Sequence, residues 1–232
     1  MANSIITYES KAKLNLEWIN ENATSHEFAE CKGKIVLKEG VTEIGIGAFE
    51  GCEELTSITL PDSITVIGTY AFHECYRLKS IDIPNSVTYI GRSAFNCCYC
   101  LESIKIPDSV VKIGQFMFSR CRNLKEPIYN ANSFMFFPKE YASEYRIPNG
   151  IQHIVRGAFS RCAKLTSVVI PDSVTSIGKY AFVDCTGLES INIPDSVTEI
   201  EDGAFSKCDK LPKETLDRIR KINEKAITIN NG

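Results

Sequence analysis

What the sequence lacks narrows the choice of fold before any motif is read. No run of about 18 apolar residues occurs, so no segment is expected to cross a membrane as a helix. Tryptophan appears once, as Trp18, and histidine three times, as His26, His73 and His153. Positive charge is not in excess: 26 Lys and Arg stand against 29 Asp and Glu, for a net charge of −3. That balance argues against nucleic acid as a partner, since non-specific binding to it needs a basic face. The opening Met1-Ala-Asn-Ser-Ile-Ile-Thr-Tyr8 has no basic stretch ahead of an apolar one, so no secretory leader is expected in it. Apolar residues make up 44% of the chain, enough to fill a continuous core. Cysteine is abundant, with ten in 232 residues. In a small secreted domain that density reads as a disulfide framework, but the spacing here points elsewhere.

Cys52, Cys75, Cys98 and Cys121 lie 23 residues apart, as do Cys162, Cys185 and Cys208. Each follows a phenylalanine by three: Phe49, Phe72, Phe95, Phe118, Phe159, Phe182 and Phe205. The full unit reads Leu-x-x-Ile-x-Ile-Pro-Asp-Ser-Val-Thr-x-Ile-Gly-x-x-Ala-Phe-x-x-Cys-x-x, with copies starting at Leu55, Leu78, Leu101, Leu165 and Leu188. A fixed period of this kind signals a repeat architecture. The Leu-x-x-Ile-x-Ile stretch alternates, so it predicts a strand with Ile58 and Leu60 on one face and Ser57 and Thr59 on the other. Proline then stops the ladder, and Pro-Asp-Ser supplies turn chemistry. Val-Thr-x-Ile is a second short extended piece, and Ala-Phe-x-x-Cys suits one helical or 3₁₀ turn. No coil buries its apolar set alone, so stacking must supply the missing surface.

The expected fold is therefore a β-rich right-handed repeat solenoid, with a parallel β-sheet on one face and short strands and helical or 3₁₀ turns on the other. Residues 1–33 read as an N-terminal cap, 34–210 as the solenoid and 211–232 as a C-terminal capping helix and tail. Residues 124–141 read as a truncated coil, because Leu124 to Leu165 spans 41 residues and one Ala-Phe-x-x-Cys segment is missing. Leu216, Ile219 and Ile222 form an apolar stripe that would cover the last coil. Pro212 sits where a helix opens.

The unit, for example Leu165-Thr-Ser-Val-Val-Ile-Pro-Asp-Ser-Val-Thr-Ser-Ile-Gly-Lys-Tyr-Ala-Phe-Val-Asp-Cys185, resembles the BspA-type (Treponema pallidum-type) leucine-rich repeat over about residues 34–210. Met117 in place of the alanine, and Val155 and Glu201 in place of the glycine, are the departures. The resemblance implies a surface-exposed or secreted protein with an adhesive or protein-binding role, with a cytoplasmic location left open. It brings no catalytic residues with it.

No catalytic, metal or cofactor site is expected from the residues. The cysteine ladder reads as a column of buried small side chains. Cys31, Cys97 and Cys100 fall off it and read as loop thiols. Cys97-Cys98-Tyr99-Cys100 contains a C-x-x-C, but no second ligand pair exists to complete a zinc site. Gly45-Ile-Gly47 and the column Asp62, Asp108, Asp172 and Asp195 are repeat phases of turns. Two binding surfaces are candidates for a protein partner. One is the outward strand column Thr59, Asp82, Lys105, Arg146, Val169 and Asn192, which varies between coils while its neighbours do not. The other is the aromatic coil Tyr129, Phe134, Phe136, Phe137 and Tyr141. The expected function is a non-enzymatic protein-interaction or adhesion module. A structural spacer of a larger surface protein and an enzyme with a cryptic site are the alternatives.

Overall fold

The computed structural model describes residues 4–11, 16–30 and 32–227. The chain divides into two compact units, Met1–Leu124 and Lys125–Gly232. Each is a stack of coils about its own core. Cys31 and the last five residues of the expected C-terminal tail lie outside the described residues.

The first unit contains β1 (Ile5–Ser10), α1 (Glu17–Asn22), β2 (Ala23–Ala29), β3 (Lys32–Leu37), β4 (Glu43–Ile44), β5 (Leu55–Thr59), β6 (Val66–Ile67), β7 (Ser80–Asp82), β8 (Tyr89–Ile90) and β9 (Lys112–Ile113). On one face β4, β6, β8 and β9 form a parallel ladder that puts Ile44, Ile67, Ile90 and Ile113 in register. On the other, β5 and β7 pair in parallel, with Ser57 opposite Ser80 and Thr59 opposite Asp82. The sheet order there is β2-β3-β1-β5-β7. The repeat phase alone places β3 directly beside β5. Instead β1 inserts between them, antiparallel to both. Its alternation explains why: Ile6 and Tyr8 point into the core. Tyr8 lies over Gly33, where an added Cβ would sit 1.9 Å from the ring. The strand expected to end at Ile106 makes no ladder among the described residues; Glu102 N–H donating to Lys79 O at 3.2 Å links it to the coil before.

The coils meet most closely along the Ile-Gly and Ala-Phe-x-x-Cys segments. A Cβ at Gly91 would lie 2.4 Å from the Thr69 nitrogen, so glycine is what lets the two backbones approach. The Phe-x-x-Cys turns close by bonds of the 3₁₀ kind, such as Cys52 N–H to Phe49 O at 3.2 Å. Two residues per turn take left-handed backbone, as at Tyr70 and Glu74 or Ser93 and Cys97. For a residue with a side chain this conformation is costly, on the order of 1–2 kcal/mol. It aims each N–H at the next coil: Tyr70 N–H reaches Arg92 O at 2.9 Å and Glu74 N–H reaches Asn96 O at 3.0 Å. The phenylalanines stack as a ladder, Phe49 to Phe72 at 5.2 Å and Phe72 to Phe95 at 5.5 Å between ring centroids. Trp18 packs on Phe49 at 5.7 Å and ends the ladder.

The second unit contains β10 (Ile128–Tyr129), β11 (Ser133–Phe136), β12 (Glu144–Arg146), β13 (His153–Ile154), β14 (Ser167–Val169), β15 (Ser176–Ile177), β16 (Ser190–Ile191), β17 (Glu199–Ile200) and α2 (Lys213–Ile222). Here β12-β14-β16 is a parallel sheet on one face. The order β10-β11-β13-β15-β17 makes up the other sheet. The truncated coil departs from its expected phase. β10 folds back antiparallel on β11, because the Asn130 side chain accepts from Asn132 N–H at 3.1 Å and Ser133 N–H at 2.9 Å and so makes a hairpin turn. The register reverses in consequence: Ile128 is buried and Tyr129 is exposed. Phe134 starts a second ring ladder, 4.7 Å from Phe159, which continues to Phe182 at 4.7 Å and Phe205 at 5.0 Å.

At the other end Pro212 precedes α2, its carbonyl accepting from Leu216 N–H at 3.0 Å. Ile219 is buried, and Leu216 and Ile222 pack partly against the same core. A 3₁₀ turn at Glu224–Ala226 then completes the backbone ladder: Gly203 N–H donates to Lys225 O and Phe205 N–H to Ala226 O, both at 2.9 Å.

Candidate functional site

The outward strand residues fall three in each unit. In the first, Thr59, Asp82 and Lys105 are all exposed. Thr59 and Asp82 are cross-strand partners, and the Thr59 hydroxyl donates to the Asp82 carboxylate at 3.3 Å. The same face carries a groove of about 580 Å³ whose walls include Glu9, Glu27, Lys32, Lys34, Ser57 and Thr59. Half of that wall comes from β1 and β2, which the repeat pattern does not contain. The groove is a consequence of the inserted strand, and the 23-residue period gave no signal for it.

In the second unit Arg146 and Val169 are register partners on β12 and β14, with Arg146 exposed and Val169 half-buried. Asn192 is exposed but already engaged. Its side-chain amide donates to Ile170 O and its oxygen accepts from Ile170 N–H, both at 2.7 Å. It thus replaces a strand's own hydrogen bonds one residue beyond β16, a structural task that the sequence column did not reveal.

The aromatic coil divides by burial. Phe134 and Phe137 lie in the core of the second unit and offer nothing to a partner, which corrects their place among the candidate contacts. The reason is the missing Phe-x-x-Cys segment, whose rings they replace. Phe136 is half-buried. Tyr129 and Tyr141 are 45% and 42% exposed and stand as the surface residues of this coil. Tyr141 hydrogen-bonds the Glu126 carboxylate, which raises its phenol pKa. Tyr145, beneath, is pushed up to about 12, chiefly by burial.

Five of the seven ladder thiols donate to the carbonyl of the ladder phenylalanine in the preceding coil. Cys75 donates to Phe49 O at 3.1 Å, Cys98 to Phe72 O at 3.2 Å, Cys121 to Phe95 O at 3.1 Å, Cys185 to Phe159 O at 3.0 Å and Cys208 to Phe182 O at 3.1 Å. Burial pushes Cys98 up to about 12 and holds Cys75 and Cys121 well above their ordinary range. All described cysteines are free thiols. Cys97 does not sit on a loop surface as its place off the ladder suggested: it is 4% exposed, while Cys100 is half-buried.

The histidines do not converge with one another. His26 bonds the Tyr8 hydroxyl at 2.6 Å, His73 the Glu50 carboxylate at 2.9 Å and His153 the Ser176 hydroxyl at 2.8 Å. One of them does gather unlike donors: His73, Glu74 and Cys97 bring their ligand atoms within 4.8 Å of one another. The sequence reading expected no metal site. Its only trace in the sequence is that Glu74 and Cys97 occupy the same phase of successive coils.

A scan against known families matches a BspA type leucine rich repeat region in six copies, over residues 21–136 and 130–230. Among solved structures the chain is similar to a leucine rich repeat protein of T. pallidum, at 32% identity and a TM-score of 0.53, over 81% of this chain and 80% of that one. It is also similar to a leucine rich cell surface protein from Faecalibacterium prausnitzii, at 31% identity and a TM-score of 0.50, over 72% of this chain but 55% of that one. A leucine-rich repeat protein from Eubacterium ventriosum, 23% identical with a TM-score of 0.50 over 75% of this chain and 57% of that one, shares the fold. No curated protein matches. No helix among the described residues is long and apolar enough to cross a membrane.

Proposed function

The chain belongs to the BspA-type leucine-rich repeat family, and from that premise we propose that it is a non-enzymatic protein-binding module of a cell surface, holding its partner on the outward strand faces of the repeats. The observation that carries this reading is the contrast between the two sides of each strand. Inward residues are consumed by ladders of isoleucine, phenylalanine and cysteine. Outward ones change charge from rung to rung: neutral at Thr59, negative at Asp82, positive at Lys105 and again at Arg146, all exposed. Mixed charge on a rigid scaffold orients a protein partner and selects against wrong ones more than it adds raw affinity. The surface location leans on the relative named as a cell surface protein.

The test is a quantitative pull-down from host and culture extracts, with wild type beside the triple variant Asp82→Ala, Lys105→Ala, Arg146→Ala. These side chains are exposed, so the fold should change by no more than about 0.5 kcal/mol per site. The variant is expected to lose the partners that wild type retains. If it folds and keeps every one, the strand face is not the site, and Tyr129→Ala with Tyr141→Ala tests the aromatic coil next. The F. prausnitzii relative extends well beyond the matched region. That favours, as a second reading, a spacer that positions other domains, for which neither variant would change any partner.

A further inference from the structure

We propose that His73, Glu74 and Cys97 form a zinc site that clamps two consecutive coils of the first unit, with Glu50 as the carboxylate that fixes the histidine. Glu50 Oε1 lies 2.9 Å from His73 Nδ1. A neutral ring that donates from Nδ1 leaves the lone pair on Nε2, which faces Glu74 Oε1 at 3.9 Å. Carboxylate, histidine and metal in that order is how proteins fix the tautomer and ring angle of a ligating imidazole. The three donor atoms lie within 4.8 Å of one another. In a tetrahedral zinc site with bonds of about 2.0–2.3 Å the donors stand roughly 3.3–3.7 Å apart, so closure needs a contraction of about 1 Å. His73 Nε2 and Glu74 Oε1 are already 3.9 Å apart, and the Glu74 side chain is 43% exposed, so rotation of the Glu74 and Cys97 side chains together would close the rest.

The backbone is already held. Glu74 and Cys97 are the same left-handed position of neighbouring coils, tied by Glu74 N–H to Asn96 O at 3.0 Å and Cys97 N–H to Ser119 O at 2.9 Å. In the second unit this column carries ordinary ion pairs, Lys207 with Asp184 at 3.2 Å and Arg161 with Asp184 at 3.6 Å. At Cys97 the column instead holds a nearly buried thiol, beside a histidine oriented by Glu50. Imidazole, carboxylate and thiolate together suit zinc, whereas hard ions such as calcium and magnesium avoid sulfur. On binding, Cys97 releases its proton to solvent and gives up its 3.4 Å bond to the Asn96 side chain. Thiolate and carboxylate then neutralise the ion, and a water fills the fourth position on the solvent side of Glu74.

The experiment uses the full chain without a histidine tag, stripped with a chelator under reducing conditions. Zinc competed against a chromophoric indicator is expected to bind at one equivalent and to raise the melting temperature. Cobalt is expected to give a sulfur-to-cobalt charge-transfer band, lost in Cys97→Ser and kept in Cys100→Ser. Glu50→Gln, which leaves all three ligands in place, should weaken binding roughly 10–100-fold. Absence of stoichiometric binding overturns the proposal, as does a charge-transfer band that survives Cys97→Ser. Should Cys97→Ser fail to fold, the partly exposed His73→Gln decides: binding equal to wild type overturns the site.

Discussion

A thiol and a phenylalanine carbonyl meet once in almost every coil, and this contact explains a residue choice that hydrophobicity alone does not. The Phe49, Phe72, Phe95, Phe159 and Phe182 carbonyls are inside the stack, each accepting the backbone N–H of its own turn and keeping a second acceptor site that faces the next coil. Cysteine is small enough for the column and carries a weak S–H donor, so it fills the space and meets the acceptor together. The adjoining ring sits between two others: Phe95 is 5.5 Å from Phe72 and 5.9 Å from Phe118. Phe95→Ala is expected to cost about 3–5 kcal/mol, the range for truncating a buried phenylalanine. A shift in the urea midpoint equivalent to less than about 1 kcal/mol would place the ring outside the core. Thiol reactivity gives a second check. Buried thiols are inert, so in native alkylation at neutral pH Cys100 should label before Cys97, and Cys75 and Cys185 should stay unmodified until the chain unfolds. Fast labelling of Cys75 or Cys185 would contradict the ladder.

The two ends of the stacks are finished by elements outside the repeat, and they differ in how far the sequence announced them. The apolar stripe of α2 is visible as Leu216, Ile219 and Ile222. The structure packs all three on the core, with Ile219 fully buried. Ile219→Ala should therefore destabilise by about 2–5 kcal/mol, read as a lowered thermal midpoint. An unchanged midpoint would mean that α2 does not cap the stack. The strand β1 was not announced. Ile6 and Tyr8 alternate as strand residues do, but four letters of alternation outside a 23-residue period carry little weight beside seven copies of the Phe-x-x-Cys segment. What fixes β1 is a long-range fact, the fit of the Tyr8 ring over Gly33 and of its hydroxyl on His26. Asn130-Ala-Asn132 is legible as a turn and Ser133–Phe137 as an extended run after it, but the antiparallel register between β10 and β11 is not. The repeat phase puts Ile128 in the outward strand column, whereas the side-chain turn at Asn130 reverses the register, burying Ile128 and exposing Tyr129. Period and polarity thus made the coils legible from end to end, while the places where local turn chemistry competes with the period were not.

Over the whole molecule the ladder thiols act together, and their sum is a dependence of stability on pH. Candidate surfaces were legible only as columns of outward residues. Burial then removed Phe134 and Phe137, and hydrogen bonds engaged Asn192, neither of which a linear pattern encodes. The thiols are different, because their burial follows from the period itself. Folding raises their pKa values: Cys98 to about 12, and Cys75, Cys121 and Cys162 in the same direction, in each case mainly through loss of solvent. An unfolded thiol ionises near about 8.5. Below that value both states keep the proton, and the thiols contribute their full share to stability. Above it the unfolded chain gives up protons that the folded chain retains, so stability falls as pH rises towards the folded pKa values. Each thiol that stays protonated contributes a slope of up to roughly 1.4 kcal/mol per pH unit. The thermal midpoint should accordingly be nearly flat from about pH 7 to 8 and drop steeply between about pH 9 and 11. Replacing one rung separates this effect from general alkaline damage. Cys98→Ala starts from a lower midpoint, because it removes the thiol's bond to Phe72 O and leaves that carbonyl with only the Cys75 N–H of its own turn, yet its decline with pH should be shallower by one thiol's share. A Cys98→Ala slope equal to that of wild type would show that this thiol ionises within the folded stack, and that solvent reaches the column at that coil.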